Sequence, residues 1–299
     1  MKCGVGLRAW GAGPALLALV LSLAALPLAQ EPALPRRIIS LVPAVTEMLF
    51  AIGAGDAVVG VSSYDRFPPE VSALPSVGAL VDPDFERILS LRPDLVVVYG
   101  TQDDLIGRLG RARIAVFPYV HAGLADVTGT IRRVGARVDR TAQAETVARR
   151  VETGIEAIRR RVAGRPRLRT AIVIEREHGT LRGIYASGGI GFMHDLLDVA
   201  GGTNVFADVT RQAVQVTVEP LLARRPDVIL EIRPAAGWTP AAASRERLVW
   251  SGLPSLPAVR AGRIHILTDD RLSIPGPRVA DAARLIADAL HPETKSPAR

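Results

Sequence analysis

Two stretches of the sequence carry one pattern: FERILSLRPDLVVV, which begins at Phe85, and VEPLLARRPDVIL, which begins at Val218. Each has a glutamate, a leucine three positions later, and then Arg-Pro-Asp followed by an apolar run. The pattern predicts a short helix that stops before the proline and leads into a buried strand. Because the unit occurs twice, we predict that the chain consists of two similar halves.

A second pair of matching helices precedes these stretches. Each has apolar residues at positions i, i+3, i+4 and i+7 followed by a glycine, which is typical of an amphipathic helix and its end. The two stripes are Val45, Met48, Leu49 and Ile52 in the first half, and Met193, Leu196, Leu197 and Ala200 in the second. The first half has the longer connection, over residues 60–84, which predicts irregular backbone at the rim of a lobe.

Short β-branched runs alternate with helical periods along the chain, which indicates an α/β fold with mostly parallel strands. The clearest predicted strands are residues 38–41, 95–99, 114–117, 171–174, 228–232 and 264–267. We therefore predict two similar lobes, over residues 36–138 and 166–291, each a small mostly parallel sheet flanked by helices. Residues 292–299 are predicted to form a flexible tail.

One long rigid helix is predicted to join the lobes, within residues 139–165. Asp139 or Thr141 is placed to cap its start, and Gly164 and Pro166 are placed to end it. Its apolar stripe is Val147, Val151, Ile155, Ile158 and Val162. Such a helix reaches about 36 Å at 1.5 Å per residue. We expect a rigid connection of this kind to permit little closure when a ligand binds.

The N-terminus has the pattern of a secretory signal peptide. Lys2 and Arg8 precede an uncharged, largely apolar run over residues 11–29, which is short for a membrane-spanning helix. We expect residues 1–29 to be cleaved and the mature chain to lie in the periplasm, with a retained anchor as the alternative. The single cysteine, Cys3, precedes this run, so the mature chain has no thiol for a disulfide or for catalysis.

Composition excludes several classes of protein. With 48% hydrophobic and 22% charged residues the chain is globular, not disordered. The net charge of +7 comes almost entirely from arginine, since lysine occurs only at Lys2 and Lys295. The arginines are scattered and do not form a stripe that would follow phosphates, so we predict no nucleic-acid binding.

Further segments carry a family resemblance. They are RIISLVPAVTEMLFAIGAGDAVVGVSSYDRFPP from Arg37, YASGGIGFMHDLLDVAGGTNVF from Tyr185 and LTDDRLSIPGPR from Leu267, which with the two repeated stretches run through the mature chain in order. In them the chain resembles the helical-backbone solute receptors of bacterial ABC importers, most closely the vitamin B12-binding members.

The resemblance implies a transport function without catalysis or a resident cofactor. The implied ligand is cobalamin or a related corrinoid, which is itself a metal complex. A ferric siderophore or heme is the alternative within the family, and an exported enzyme or scaffold is the alternative outside it. The implied partners are the transmembrane subunits of an ABC importer, and a monomer is expected.

In the family, one glutamate on each lobe docks onto arginines of the importer. The matching positions are Glu86 and Glu219. A structural role is the alternative, because the helix dipole also favours a carboxylate in the first turn of a helix.

The resemblance also implies ligand-binding residues in a cleft between the lobes. Tyr64, Tyr99, Tyr185 and Asp270 match contact positions of the vitamin B12-binding members. Trp238, in a segment with glycine and proline after a strand, is placed to replace an aromatic wall. Ordinary packing is the alternative for each aromatic residue.

The chain departs from the family pattern at four positions of the cleft. Tryptophans that clamp the corrin ring fall at Leu80 and Ala213, and an arginine contact falls at Ile274. The iron-ligating tyrosine of heme-binding members falls near Ala79.

Three further groups of residues are candidates for binding. Zinc needs three or four convergent ligands, and His194 and His265 fall inside a helix and a strand, so we predict no dedicated metal site; His121 and His178 follow strands and can face the cleft. SGGIGF from Ser187 predicts either an anion-binding turn or a structural one. The polar residues 175–178 either contact a ligand or pair internally.

Overall fold

A parallel sheet and its helices form the N-terminal half of the computed structural model, which describes residues 1–4, 6 and 34–292. The predicted signal peptide and tail lie almost wholly outside these residues. The elements of this half are β1 (Ile38–Ser40), α1 (Pro43–Ala51), β2 (Val58–Val61), α2 (Phe85–Ser90), β3 (Leu95–Tyr99), α3 (Asp103–Arg111), β4 (Ala115–Tyr119) and α4 (Leu124–Arg137). The strand order is β2-β1-β3-β4, and every pairing is parallel. We call these elements the N-terminal lobe.

A long helix, α5 (Thr141–Val162), leads to the second half. The remaining elements, which we call the C-terminal lobe, are β5 (Leu168–Glu175), β6 (Ile184–Ser187), α6 (Phe192–Val199), β7 (Gly202–Asn204), β8 (Ala213–Val216), α7 (Val218–Arg224), β9 (Val228–Arg233), α8 (Pro240–Val249), α9 (Pro257–Arg260), β10 (Ile264–Thr268) and α10 (Val279–Leu290). Among the described residues, no helix is both long and apolar enough to cross a bilayer.

The two sheets explain the repeat in the sequence. In the C-terminal lobe, β7, β5, β9 and β10 lie side by side and parallel, as β2, β1, β3 and β4 do in the N-terminal lobe. The C-terminal lobe adds β6 and β8, which pair antiparallel. The predicted architecture of two similar lobes, each a mostly parallel sheet flanked by helices, is confirmed.

Each of the six predicted strands coincides with an observed one, with ends that differ by a few residues. β2, β6, β7 and β8, each of three or four residues, were not predicted. The connection over residues 60–84 contains the end of β2 and one short 3-10 helix, Pro69–Ala73, and is otherwise largely irregular. The exact lobe boundaries remain predictions.

The apolar stripe predicted for α5 is buried along its whole length. Gly164, with φ of +75°, follows the helix end as predicted. The predicted cap is wrong: Arg140 precedes the first turn and no side chain caps it. Asp139 has φ of +54° and forms the tight turn between α4 and α5 instead.

The burial of α5 joins the two lobes into one hydrophobic core. Val97 of β3, Val151 of α5 and Leu230 of β9 belong to a single buried cluster. α5 packs against α4 on one side and against α10 on the other. The connection is therefore part of the core and not an exposed linker.

Two glycines allow these helices to approach closely. A Cβ on Gly135 of α4 would lie 2.2 Å from Cβ of Ala144, and a Cβ on Gly154 of α5 would lie 2.7 Å from Cβ of Ala280. Both distances are shorter than carbon atoms tolerate, so both helix pairs require a glycine at the crossing.

We expect Gly135→Ala to lower the free energy of unfolding by about 1–3 kcal/mol, because it overpacks the contact between α4 and α5. Gly129→Ala is the matched control in the same helix, where a Cβ meets only flexible side-chain atoms at 3.5 Å or more. It should stabilise the protein by about 0.5–1 kcal/mol, because alanine loses less backbone entropy than glycine. Urea unfolding measures both, and equal stability of the two variants would contradict the packing argument.

Candidate ligand-binding cleft

A cavity of about 230 Å³ lies between the two lobes. Its walls come from segments that follow the carboxyl ends of β1, β3, β4 and β10, the edge at which α/β proteins commonly bind ligands. The lining residues are Pro43, Ala44, Tyr99, Tyr119 and His121 from the N-terminal lobe, and Ser273, Ile274 and Pro275 from the C-terminal lobe.

Aromatic rings form one wall of the cavity. Tyr99 and Tyr119 pack edge to face, with ring centroids 5.8 Å apart. The hydroxyl of Tyr119 lies 3.2 Å from Nδ1 of His121, and the His121 ring packs edge to face on Phe192 of the C-terminal lobe. Burial raises the pKa of both tyrosines, so both are neutral phenols at physiological pH.

Exposed apolar side chains surround this edge of the N-terminal lobe. They are Tyr64, Phe67, Leu80 and Val81 in the segment after β2, and Val120 directly after β4. Since all four strands of this sheet are parallel, their carboxyl ends share one edge, and these side chains lie along it. Grouped exposed apolar surface of this kind is typical of a binding site.

An ion pair crosses from one lobe to the other beside the cavity. Arg278, just before α10, donates to both carboxylate oxygens of Glu47 in α1, at 2.9 and 2.5 Å. The guanidinium also lies 3.9 Å from the centroid of the Phe67 ring. The Glu47 side chain is only 2% exposed, whereas that of Arg278 is 24% exposed.

Burial governs the charge of the acids near this pair. It raises the pKa of Glu47, against the hydrogen bonds and charge of Arg278, which lower it; Asp65 and Asp270 raise it further. Burial also raises the pKa of Asp65, although the amide and hydroxyl of Ser62 donate to its Oδ2. The cleft therefore holds more buried carboxylates than Arg278 alone neutralises.

Three of the five predicted ligand-binding residues lie around this cleft. Tyr99 lines the cavity itself. Tyr64 is exposed beside the buried Asp65, and Asp270 accepts a hydrogen bond from the amide of Ala235 at 2.8 Å while acting electrostatically on Glu47.

The other two lie outside the cavity lining, in the C-terminal lobe. Tyr185 of β6 is exposed. Trp238 is half-buried, stacks on His178 with ring centroids 5.4 Å apart, and lies under the guanidinium of Arg233. Trp238 therefore has protein partners on its ring, and its ligand role remains a prediction.

The structure decides between the alternatives left open for SGGIGF. The amides of Gly188 and Gly189 donate to the carbonyls of Gln212 and Val209. A Cβ at either glycine would lie 2.0 Å from a backbone oxygen. The segment is a structural turn that packs tightly on residues 207–212, and these two amides are not available to an anion.

The polar cluster at residues 175–178 pairs internally through its arginine. Arg176 is buried between Glu231 and Glu246, at 3.0 and 2.8 Å. Glu231 also pairs with Arg233 and accepts from the indole N–H of Trp250. Two arginines and two glutamates thus form a neutral, hydrogen-bonded network inside the C-terminal lobe. In the described part of the chain, no three His, Cys, Asp or Glu side chains lie close enough to hold a metal ion.

Comparison with known proteins assigns a family to this architecture. The family model for periplasmic binding proteins matches residues 38–270. The chain belongs to this family. It is therefore a substrate-binding transport protein and not an enzyme, which confirms both predictions.

Relatives of this periplasmic binding protein match most of its length. An uncharacterised ABC transporter substrate-binding lipoprotein of Bacillus subtilis, YvrC, is 28% identical over 265 residues, which cover 87% of this chain and 81% of the relative. The vitamin B12-binding protein of Salmonella typhimurium is 30% identical over 256 residues, or 85% and 90% of the two chains.

Solved structures share its fold. The vitamin B12-binding protein BtuF of Vibrio cholerae is 24% identical with a TM-score of 0.74, and the match covers 88% of this chain and 99% of that one. The periplasmic heme-binding protein RhuT of Roseiflexus sp. RS-1 is 25% identical with a TM-score of 0.70, with 87% and 99% covered.

Sequence reasoning missed Glu47, Arg278 and Tyr119 in this periplasmic binding protein. Glu47 is the only charged residue of α1 and lies outside its apolar stripe, so the local pattern did not indicate that it is buried. Its partner was not predictable, since Arg278 lies 231 residues away in the chain.

Arg278→Met should destabilise the protein by about 3 kcal/mol, because it leaves the buried Glu47 without its cation. Burial raises the pKa of Glu47, and without Arg278, which lowers it, this pKa rises further. A protein with such a carboxyl becomes less stable as pH rises from the ordinary pKa to the raised one. The destabilisation by Arg278→Met should therefore be larger at about pH 8 than at about pH 5. Urea unfolding of the variant and the wild type at both pH values measures this. In the control Glu47→Gln/Arg278→Met the charge is gone, and the difference between pH values should disappear; a loss in Arg278→Met that does not change with pH would contradict the role of Glu47.

Proposed function

We propose that the chain is the periplasmic receptor of an ABC importer, that it binds cobalamin or a related corrinoid in the cleft between the lobes, and that it delivers this ligand to the membrane subunits. The observation that carries the proposal is the cavity at the meeting edges of two similar lobes, with tyrosines on its wall and apolar side chains around it. Flat aromatic rings offer a large contact area at low entropic cost, as a flat, rigid ligand requires.

The relatives support the choice of ligand. The Salmonella relative, at 30% identity over most of both chains, is named a vitamin B12-binding protein. Two positions argue against a narrow specificity for cobalamin. Leu80 is exposed at the rim where the family pattern has tryptophan, and Ile274 lines the cavity where the pattern has arginine. A heme or ferric siderophore is the second candidate, favoured by the 25% identity to the Roseiflexus heme-binding protein.

We propose Glu86 and Glu219 as the docking pair for the importer. Each is exposed in the first turn of a short helix, α2 or α7, at the same place in the two repeated stretches. The Thr217 hydroxyl and the backbone amide of Glu219 lower the pKa of that carboxyl, which keeps it ionised. A pair of exposed acidic side chains, one on each lobe, suits recognition by arginines of a membrane protein.

Export to the periplasm is part of the proposal. It is supported by the signal-peptide pattern over residues 1–29 and by the family of periplasmic binding proteins to which the chain belongs. The receptor is proposed to act as a monomer with transient contact to the importer.

A titration tests the ligand. We expect purified protein to bind cyanocobalamin with a Kd below about 10 μM, measured by quenching of tryptophan fluorescence, with hemin and a ferric trihydroxamate as competing candidates. Tyr99→Ala should weaken binding by about 5- to 30-fold through loss of ring contact, whereas Tyr99→Phe keeps the ring and should bind nearly as the wild type. If cyanocobalamin does not bind and one of the other two does, the ligand assignment is wrong and the transport class remains.

Charge reversal tests the docking pair. Glu86→Lys/Glu219→Lys should abolish ligand uptake by cells that carry the cognate importer and leave the Kd of the soluble receptor unchanged. The control Asp104→Lys/Glu156→Lys reverses two other exposed acids, on α3 and α5, and should keep uptake. Loss of soluble ligand binding in the docking variant, or equal loss of uptake in the control, would refute the assignment.

A further inference from the structure

His121 occupies a distinct position in the cavity. It follows β4, lines the cavity with Tyr99 and Tyr119, and is half-buried. Nothing in the proposed function uses its imidazole, although imidazole is a good ligand for iron and other transition metals.

The His121 ring is held by contacts from both lobes. On one side Tyr119 lies with its hydroxyl 3.2 Å from Nδ1, and on the other Phe192 packs against the ring with centroids 6.0 Å apart. The Nε2 amide of Gln212 donates to the His121 carbonyl at 3.4 Å, which ties the backbone of this segment to the C-terminal lobe. A side chain fixed in this way has little freedom left to lose when it binds a ligand atom.

The two ring nitrogens of His121 differ in their partners. Nδ1 is engaged by Tyr119, whereas Nε2 has no hydrogen-bond partner among residues 34–292. When Nδ1–H donates to the neutral Tyr119 oxygen, the lone pair of Nε2 is free. This is the arrangement seen at metal-binding histidines, in which a second group fixes the tautomer through the nitrogen that does not bind the metal.

We infer that Nε2 of His121 is an axial ligand to the metal of the complex bound in the cleft, which makes the substrate class a metallo-tetrapyrrole with an exchangeable axial position. The inference rests on the proposed function. In this step the Nε2 lone pair forms a bond to the metal, an axial water leaves as H₂O, and the proton on Nδ1 stays in the hydrogen bond to Tyr119.

The size of the cavity agrees with contact to one face of such a ligand. At about 230 Å³ the cavity is smaller than the roughly 300–1,000 Å³ of a drug-sized ligand site. A tetrapyrrole would extend beyond it, over the exposed apolar rim of the N-terminal lobe, and only its axial side would enter the space beside His121.

Absorption spectra of the full-length protein with hemin and with aquocobalamin test the inference. We expect the wild type to shift each spectrum to that of an imidazole-coordinated metal. His121→Gln should abolish the shift and weaken binding of both probes. Loss of a residue that only orients a metal ligand weakens binding by about 10- to 100-fold, and loss of the ligand itself should weaken it more. Tyr119→Phe, which removes only the outer hydrogen bond, should weaken binding by about 10- to 100-fold and keep the shift.

Two controls separate coordination from packing. His265→Gln makes the same substitution near the start of β10, beside a different cavity, and should leave spectra and affinity unchanged. A hexadentate ferric trihydroxamate has no open coordination position, so its binding, where it occurs, should not depend on His121. Added imidazole should restore the shifted spectra in His121→Ala, which a merely structural role for His121 would not permit.

Three results would overturn the inference. Spectra of His121→Gln that equal those of the wild type overturn the inference and leave the proposed function intact if cyanocobalamin still binds and is taken up. An equal loss of trihydroxamate binding in His121→Gln also overturns it, because the residue would then act through packing. If the wild type binds no cobalamin, hemin or trihydroxamate, both the inference and the proposed ligand class fail.

Discussion

The structure depends on the burial of one face of α5. Seven side chains of this helix enter the hydrophobic core, and that core continues into both sheets without interruption. Burying a side chain such as Val151 or Ile155 contributes about 1.5–3 kcal/mol, so the lobes cannot separate without exposing part of the same core. The predicted restriction of hinge motion has its physical basis here, together with the close helix crossings at Gly135 and Gly154.

The cleft follows from this fixed arrangement of the lobes. Two similar, mostly parallel sheets place loops of the N-terminal lobe against the segment after β10 in the C-terminal lobe. The ion pair between Glu47 and Arg278 adds a polar contact across the lobes beside the cavity, in surroundings where burial penalises the carboxylate. One side of the cleft thus carries this ion pair. The other side carries a series of ring contacts from Tyr99 through Tyr119 and His121 to Phe192.

The repeat and the spacing of apolar residues predicted the fold, because both are properties of the sequence itself. The stripe of α5, the apolar strand β3 and the matching helices α1 and α6 were all predictable from which side chains are apolar and at what interval. The short strands β2, β6, β7 and β8 were not predicted, because three or four residues are too few to establish a period. Such strands form only because a neighbouring strand offers them hydrogen bonds.

Some residues of the candidate site were predictable from the sequence, and others were not. Tyr99 and His121 were predictable as cleft residues because each stands at or just after the end of a predicted strand, and parallel strands end at one edge. The roles of Arg176, Gly188 and Gly189 were ambiguous in the sequence, and only the tertiary structure showed their internal partners. The sequence by itself determined two similar lobes and a long helix between them, because periodicity and repetition can be recognised along the chain, and the resemblance of its segments indicated a family of transport receptors. Only the tertiary structure decided that Glu47 meets Arg278 and that Tyr119 and Phe192 hold His121, because these contacts join residues whose separation along the chain carries no information about their distance in space.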